Sequence, residues 1–188
     1  MLWVQDAAPW KNISLPSGGG LLVLTGFILW MALTGEKWVW ILDGANLLFH
    51  EAGHPIFGLL SERLMVYGGT LGQLVFPTIV WWKFQRQREV AGTYVSALWF
   101  GENWLNIGRY MADARAQVLP LVGNGDRIHD WNEILVRWGL LNADTALGGL
   151  VRFMALIGIL AATGWLIWRW CNPQENRSSG RYDPRSVL

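Results

Sequence analysis

Charge is scarce in this 188-residue chain. Only 15% of its residues are Asp, Glu, Lys or Arg, against about 25% in an ordinary soluble domain. The charge present nearly cancels, since 15 basic and 14 acidic side chains leave +1. Without a basic excess, nucleic acid is not an expected partner. A single cysteine, Cys171, excludes a disulfide framework and any multi-cysteine zinc or iron–sulfur centre. Three histidines are too few for the histidine-rich boxes of a membrane di-iron enzyme. What the chain does have is apolar surface: 52% hydrophobic residues, 14 of its residues being Trp. The composition predicts an all-α integral membrane protein with few groups for chemistry.

Five apolar stretches, at 17–34, 38–60, 64–82, 90–108 and 146–168, approach the roughly 20 residues that cross about 30 Å of hydrocarbon as helix. They predict about five transmembrane helices in one domain, 1–171, followed by a polar tail, 172–188, read as disordered. Asp6 precedes Lys11 and no basic n-region opens the chain, so no cleaved signal peptide is expected. Lys37-Trp38, Trp81-Trp82-Lys83 and Trp168-Arg169-Trp170 fall at span ends that five crossings would put on one face. Aromatic belts and the positive-inside rule make that face cytoplasmic, with the N-terminus outside and the C-terminus inside. A bacterial inner membrane suits such a chain, with lipid and a membrane-protein or peptide substrate as expected partners.

An outer loop, 114–145, contains turn chemistry at Val122-Gly123-Asn124-Gly125-Asp126. Asp130 with Glu133 then reads as a capping-box variant. Trp131, Ile134, Leu135 and Trp138 recur at helical spacing, which predicts an amphipathic helix lying at the interface. The run Tyr67-Gly68-Gly69-Thr70-Leu71-Gly72-Gln73 has two readings. It is either a re-entrant or extended segment, or a helix packed closely at its small residues.

The second stretch holds His50-Glu51-Ala52-Gly53-His54, the HExxH pattern. Histidines four apart share a helix face, so both imidazoles reach one zinc, and the glutamate between them can accept a proton from water. His50 lies about 13 residues past Lys37, or about 20 Å along a helix, which predicts a site near mid-membrane. Such groups are costly there unless they face a polar interior or bind something. Asp43 and Asn46 share the His50 face and could orient the imidazoles or bond to neighbouring helices. Pro55 removes a helical N–H beside the site. Glu102, Asn106, Arg109 and Asp113 form a polar stripe on the fourth span.

Phe49 to His54 with Gly58, the Gly-rich run after it, and a later helix with asparagines and an aspartate resemble the site-2 protease family of intramembrane zinc metalloproteases. The resemblance covers about Asp43 to Asp113, and only HEAGH is specific. It implies that His50 and His54 bind zinc, that Glu51 activates water, and that an aspartate completes the ligands. Asp113 matches that aspartate, with His129 and Glu102 as alternatives. The chain departs from the family pattern, because Asn106 to Ala114 lacks the proline and the second glycine that accompany the aspartate. The soluble HExxHxxGxxH pattern fails, since Phe57 and Leu60 stand where Gly and His are needed. The expected function is a membrane-embedded zinc metallopeptidase. The alternatives are a non-catalytic membrane protein with a structural or metal-holding cluster, and haem ligation by His50 or His129.

Overall fold

The computed structural model describes residues 9–34, 39–119 and 129–173. Among these, 82% are helical and none forms a strand. The helices are α1 (Leu15–Leu33), α2 (Trp40–Gly58), α3 (Glu62–Arg86), α4 (Val90–Ala112), α5 (Asp130–Arg137) and α6 (Asp144–Cys171). The tail beyond Pro173, Lys37-Trp38 and the Val122–Asp126 run lie outside the described residues.

Local sequence explains the starts. Ser14 accepts the Ser17 N–H at 3.3 Å to open α1, and Ser61 accepts that of Leu64 at 3.1 Å to open α3. Glu89 caps α4 through the Gly92 N–H. Large apolar side chains stay exposed along the helices, including Val23, Phe27, Ile79, Phe153 and Leu160. An apolar surface this continuous calls for hydrocarbon around it.

Three segments are long and apolar enough to cross a membrane: Leu15–Leu33, Glu62–Arg86 and Leu141–Cys171. The other two expected spans, α2 and α4, carry the buried polar groups Asp43, Asn46, His50, Glu102 and Asn103, which lower their hydropathy. They form helices nonetheless because those groups face one another across the bundle.

Helix α4 is the centre, packed against α3, α6 and α1. Gln73 meets Asn103 and Phe76 meets Trp99, so α3 runs antiparallel to α4. Tyr94 meets Thr163 while Gly101 abuts Ile159, so α6 does too. Tyr94 also bonds Thr25 of α1 at 2.5 Å. The rings of Trp10 and Trp165 lie 5.3 Å apart, and the Lys11 N–H donates to the Arg88 carbonyl at 2.9 Å. The start of α1 and the end of α6 therefore share one end of the bundle. From Asp43 to His50 the partners of α2 on α4 stay between Trp99 and Tyr110, while Phe49, Gly53 and Gly58 meet Phe76, Gly68 and Met65, so α2 packs antiparallel along α3.

The Gly-rich run is not re-entrant. Helix α3 passes unbroken through Gly68, Gly69 and Gly72, and Gly68 and Gly72 let the α2 backbone come close at Gly53. A Cβ at Gly53 would overlap the Gly68 carbonyl, which is backbone and cannot yield. Gly53→Ala should therefore cost about 1–3 kcal/mol and lower the melting temperature in detergent. Gly26→Ala and Gly164→Ala, whose added Cβ atoms meet open space, should be neutral or stabilising by up to about 1 kcal/mol. Equal melting temperatures for Gly53→Ala and the parent would contradict the close contact.

Candidate metal centre

His50 and His54 lie one helical turn apart on α2, with ring centroids 4.9 Å apart. Gly69 of α3 makes room for both, since a Cβ there would stand 2.5 Å from the His50 ring and 2.7 Å from His54 Nε2. The outer nitrogens are fixed first. His54 Nδ1 is 2.8 Å from the Met65 carbonyl oxygen, which can only accept. His50 Nδ1 is 2.8 Å from Gln73 Oε1, and Gln73 Nε2 donates to Asn103 Oδ1 at 3.3 Å, which keeps Oε1 turned to the imidazole. Both Nδ1 atoms therefore carry the proton, and both Nε2 lone pairs point inward.

They converge on one oxygen. Asp130 Oδ2 lies 2.8 Å from His50 Nε2 and 3.3 Å from His54 Nε2. All three donor atoms fall within 4.8 Å of one another, and among the described residues no other group of His, Cys, Asp and Glu converges this way. Three acceptors without a proton between them repel, unless a cation stands there or an imidazole is protonated. Two imidazole nitrogens and a carboxylate oxygen form a donor set that suits a divalent transition metal. His50 and Asp130 are buried, whereas His54 and Glu51 are half-buried and leave the centre open on their side.

Asp130 comes from the loop, not from the bundle. Sequence made it the cap of the amphipathic helix, but His129 holds that position and accepts the Asn132 N–H at Nδ1, 3.2 Å away. The one-residue shift frees the Asp130 carboxylate, now in the first turn of α5, where the helix dipole favours it. The apolar face of α5 is spent on the bundle, where Trp131, Ile134 and Leu135 pack with Val66 of α3 and Ile107 and Met111 of α4. Tyr110 helps to aim Asp130, because its hydroxyl accepts the Asp130 N–H at 3.2 Å. Burial pushes the Asp130 carboxyl up, yet a proton on a facing imidazole, donated to Oδ2, outweighs it and holds the group below the usual carboxylate range. Along the bundle the centre lies between Gln73, near the middle of α3 and bonded to His50, and Tyr110, in the last turn of α4 and 5.8 Å from the His50 ring.

The other sequence candidates stand elsewhere. Asp113 ends α4, and its two oxygens accept the N–H groups of Val118 and Leu119 at 3.1 and 3.0 Å. His129 is fully buried against Tyr110, and burial lowers its imidazole below the ordinary histidine value. Glu102 accepts from Asn46 Nδ2 at 2.7 Å. Asp43 and Asn46 bond to α4, through Asn106 and through Glu102 and Trp99, and not to the imidazoles. Glu51 acts electrostatically on His54 and Tyr110. Two signals pointed to Asp130: an acid opening a strongly amphipathic helix, and a histidine pair lacking a third donor. An apolar cavity of about 300 Å³ lies between α3 and α5, walled by Leu64, Tyr67, Leu71, Trp131 and Ile134.

No known protein family, curated protein or solved structure matches this chain.

Asp130→Asn should weaken binding of a transition metal by at least about 10-fold, and Gln73→Leu, which removes only the partner of an imidazole, by about 10- to 100-fold. Asp113→Asn should leave it unchanged. Metal titration of the purified protein reads all three, and an unaltered affinity in Asp130→Asn would remove Asp130 from the centre.

Proposed function

We propose that this protein is a membrane-embedded zinc metallopeptidase of the kind the HEAGH resemblance implies, with His50, His54 and Asp130 as the metal ligands. The observation that supports this reading is the convergence of two Nε2 lone pairs and a carboxylate oxygen on one point, with Glu51 adjacent. Zinc is the metal that best suits a closed N,N,O donor set with a fourth position open, and when bound it supplies the Lewis acidity that activates water and polarises a carbonyl.

The chain's own residues do the rest. Glu51 accepts the proton of the attacking water and passes it to the leaving amine as the peptide bond breaks. Gln73 and the Met65 carbonyl hold the imidazoles still. The apolar cavity beside Trp131 receives a hydrophobic side chain of the substrate and excludes water there. We read α1, α3, α4 and α6 as crossings, with α2 packed against α3 as the support of the histidine pair. Both described ends then face one side of the membrane and the metal centre faces the other. The tryptophan- and arginine-rich end is the cytoplasmic one.

Glu51→Gln should retain metal while hydrolysis of a labelled hydrophobic peptide falls by at least about 100-fold. His54→Ala should lose both. Intact hydrolysis in Glu51→Gln would end the peptidase reading. A phenotype lost in His54→Ala but kept in Glu51→Gln would assign the cluster to metal holding instead.

A further inference from the structure

At the end of the bundle remote from the metal centre, two guanidinium groups share one indole. Arg169 lies 4.7 Å from the Trp10 ring centroid and Arg88 lies 5.4 Å from the same ring. Trp168 and Trp165 flank Arg169 at 5.0 and 6.0 Å. Aromatic faces stabilise a cation but do not neutralise it. Among the described residues no carboxylate pairs with either arginine. Among the described residues the acid next to Arg88, Glu89, spends its carboxylate on the Gly92 N–H at the start of α4. Arg169 Nε is buried and has no hydrogen-bond partner. The two arginines also repel each other. The backbone holds this pairing in place. Arg88 adopts φ 53°, a left-handed conformation costly for a side-chain-bearing residue, and its carbonyl accepts the Lys11 N–H. Two like charges and an unsatisfied donor, fixed at a helix end ringed by tryptophan, are missing an anion.

We propose that Arg88 and Arg169, with Trp10 as their platform, bind the phosphate of an anionic phospholipid headgroup. Guanidinium matches phosphate in geometry and charge. Three tryptophans beside the arginines suit the depth at which headgroups lie, and the apolar flanks of α1 and α6 receive the acyl chains. The inference needs the chain to sit in a membrane and is independent of the peptidase reading.

The test uses full-length protein in detergent micelles with energy transfer from its tryptophans to dansyl-labelled phosphatidylglycerol. Unlabelled phosphatidylglycerol should displace the probe far better than phosphatidylcholine, and inorganic phosphate should not displace it. Arg88→Gln and Arg169→Gln should each weaken binding about fivefold, and together about 25-fold. Lys83→Gln, at the same end but outside the cluster, should keep most of the affinity. Arg88 stands in a turn, so its variant preserves the test if the Arg169 variant does not fold. Equal competition by phosphatidylcholine, an equal loss in Lys83→Gln, or full displacement by inorganic phosphate would each overturn a lipid site here.

Discussion

With both imidazoles neutral, three hydrogen-bond acceptors aimed at one point form an arrangement that a folded protein holds only with compensation, by a cation or by a proton on one ring. Outward-facing bonds to Gln73 and Met65 take the only protons the neutral imidazoles carry. Asp130 brings a negative charge and no proton. In a low-dielectric interior such a cluster is far more costly than in water. A cation at its focus turns that cost into binding energy. Much of the surrounding architecture follows from this requirement: the glycines of α3 that admit the rings, the amides that orient them, and the loop that folds back to deliver a carboxylate.

The same logic explains why HEAGH, its helix and the general helical character were legible while the third donor was not. Histidines at i and i+4 must share a face, so spacing alone brings His50 and His54 together. Asp130 reaches them across 80 positions of sequence, through a turn that no periodicity describes. Its part was further hidden by cap chemistry. Asp is a better N-cap than His, yet placing His129 there lets its buried ring stack on Tyr110 at 4.1 Å and sends Asp130 inward. Tertiary packing overrode the local preference. Asp113 looked suitable by chain order, but the N–H groups of Val118 and Leu119, in the segment after α4, claim both of its oxygens.

Membrane crossings were read from hydropathy, and hydropathy is ambiguous for α2. A helix of mixed apolar and polar residues fits a tilted span, or a segment lying across a bundle with its polar side inward. The contact at Gly53, where two backbones touch, sits within a longer seam from Phe49–Phe76 to Gly58–Met65 that holds α2 against α3. From there the N-terminal half of α2 reaches Asn106, Glu102 and Trp99, so the polar face seen in sequence is spent on α4. Asp43 accepts from Asn106 and Glu102 from Asn46, so each buried carboxyl group has a donor. The polar groups in the membrane-facing core are thus mostly self-satisfied, and only the cluster under α5 is left with lone pairs facing each other.

Polarity is sorted between the two ends of the molecule. One end carries acceptors in excess and calls for a cation. The other carries guanidinium groups in excess and calls for an anion. Neither excess is cancelled by the residues around it, although the chain as a whole is near neutral at +1. If the charges had been placed only for solubility, pairing them locally as Arg115 and Asp144 are paired, at 2.7 Å, would have been the lower-energy choice. Keeping them apart gives the two ends opposite polarity, the asymmetry on which the proposed orientation in a bilayer rests.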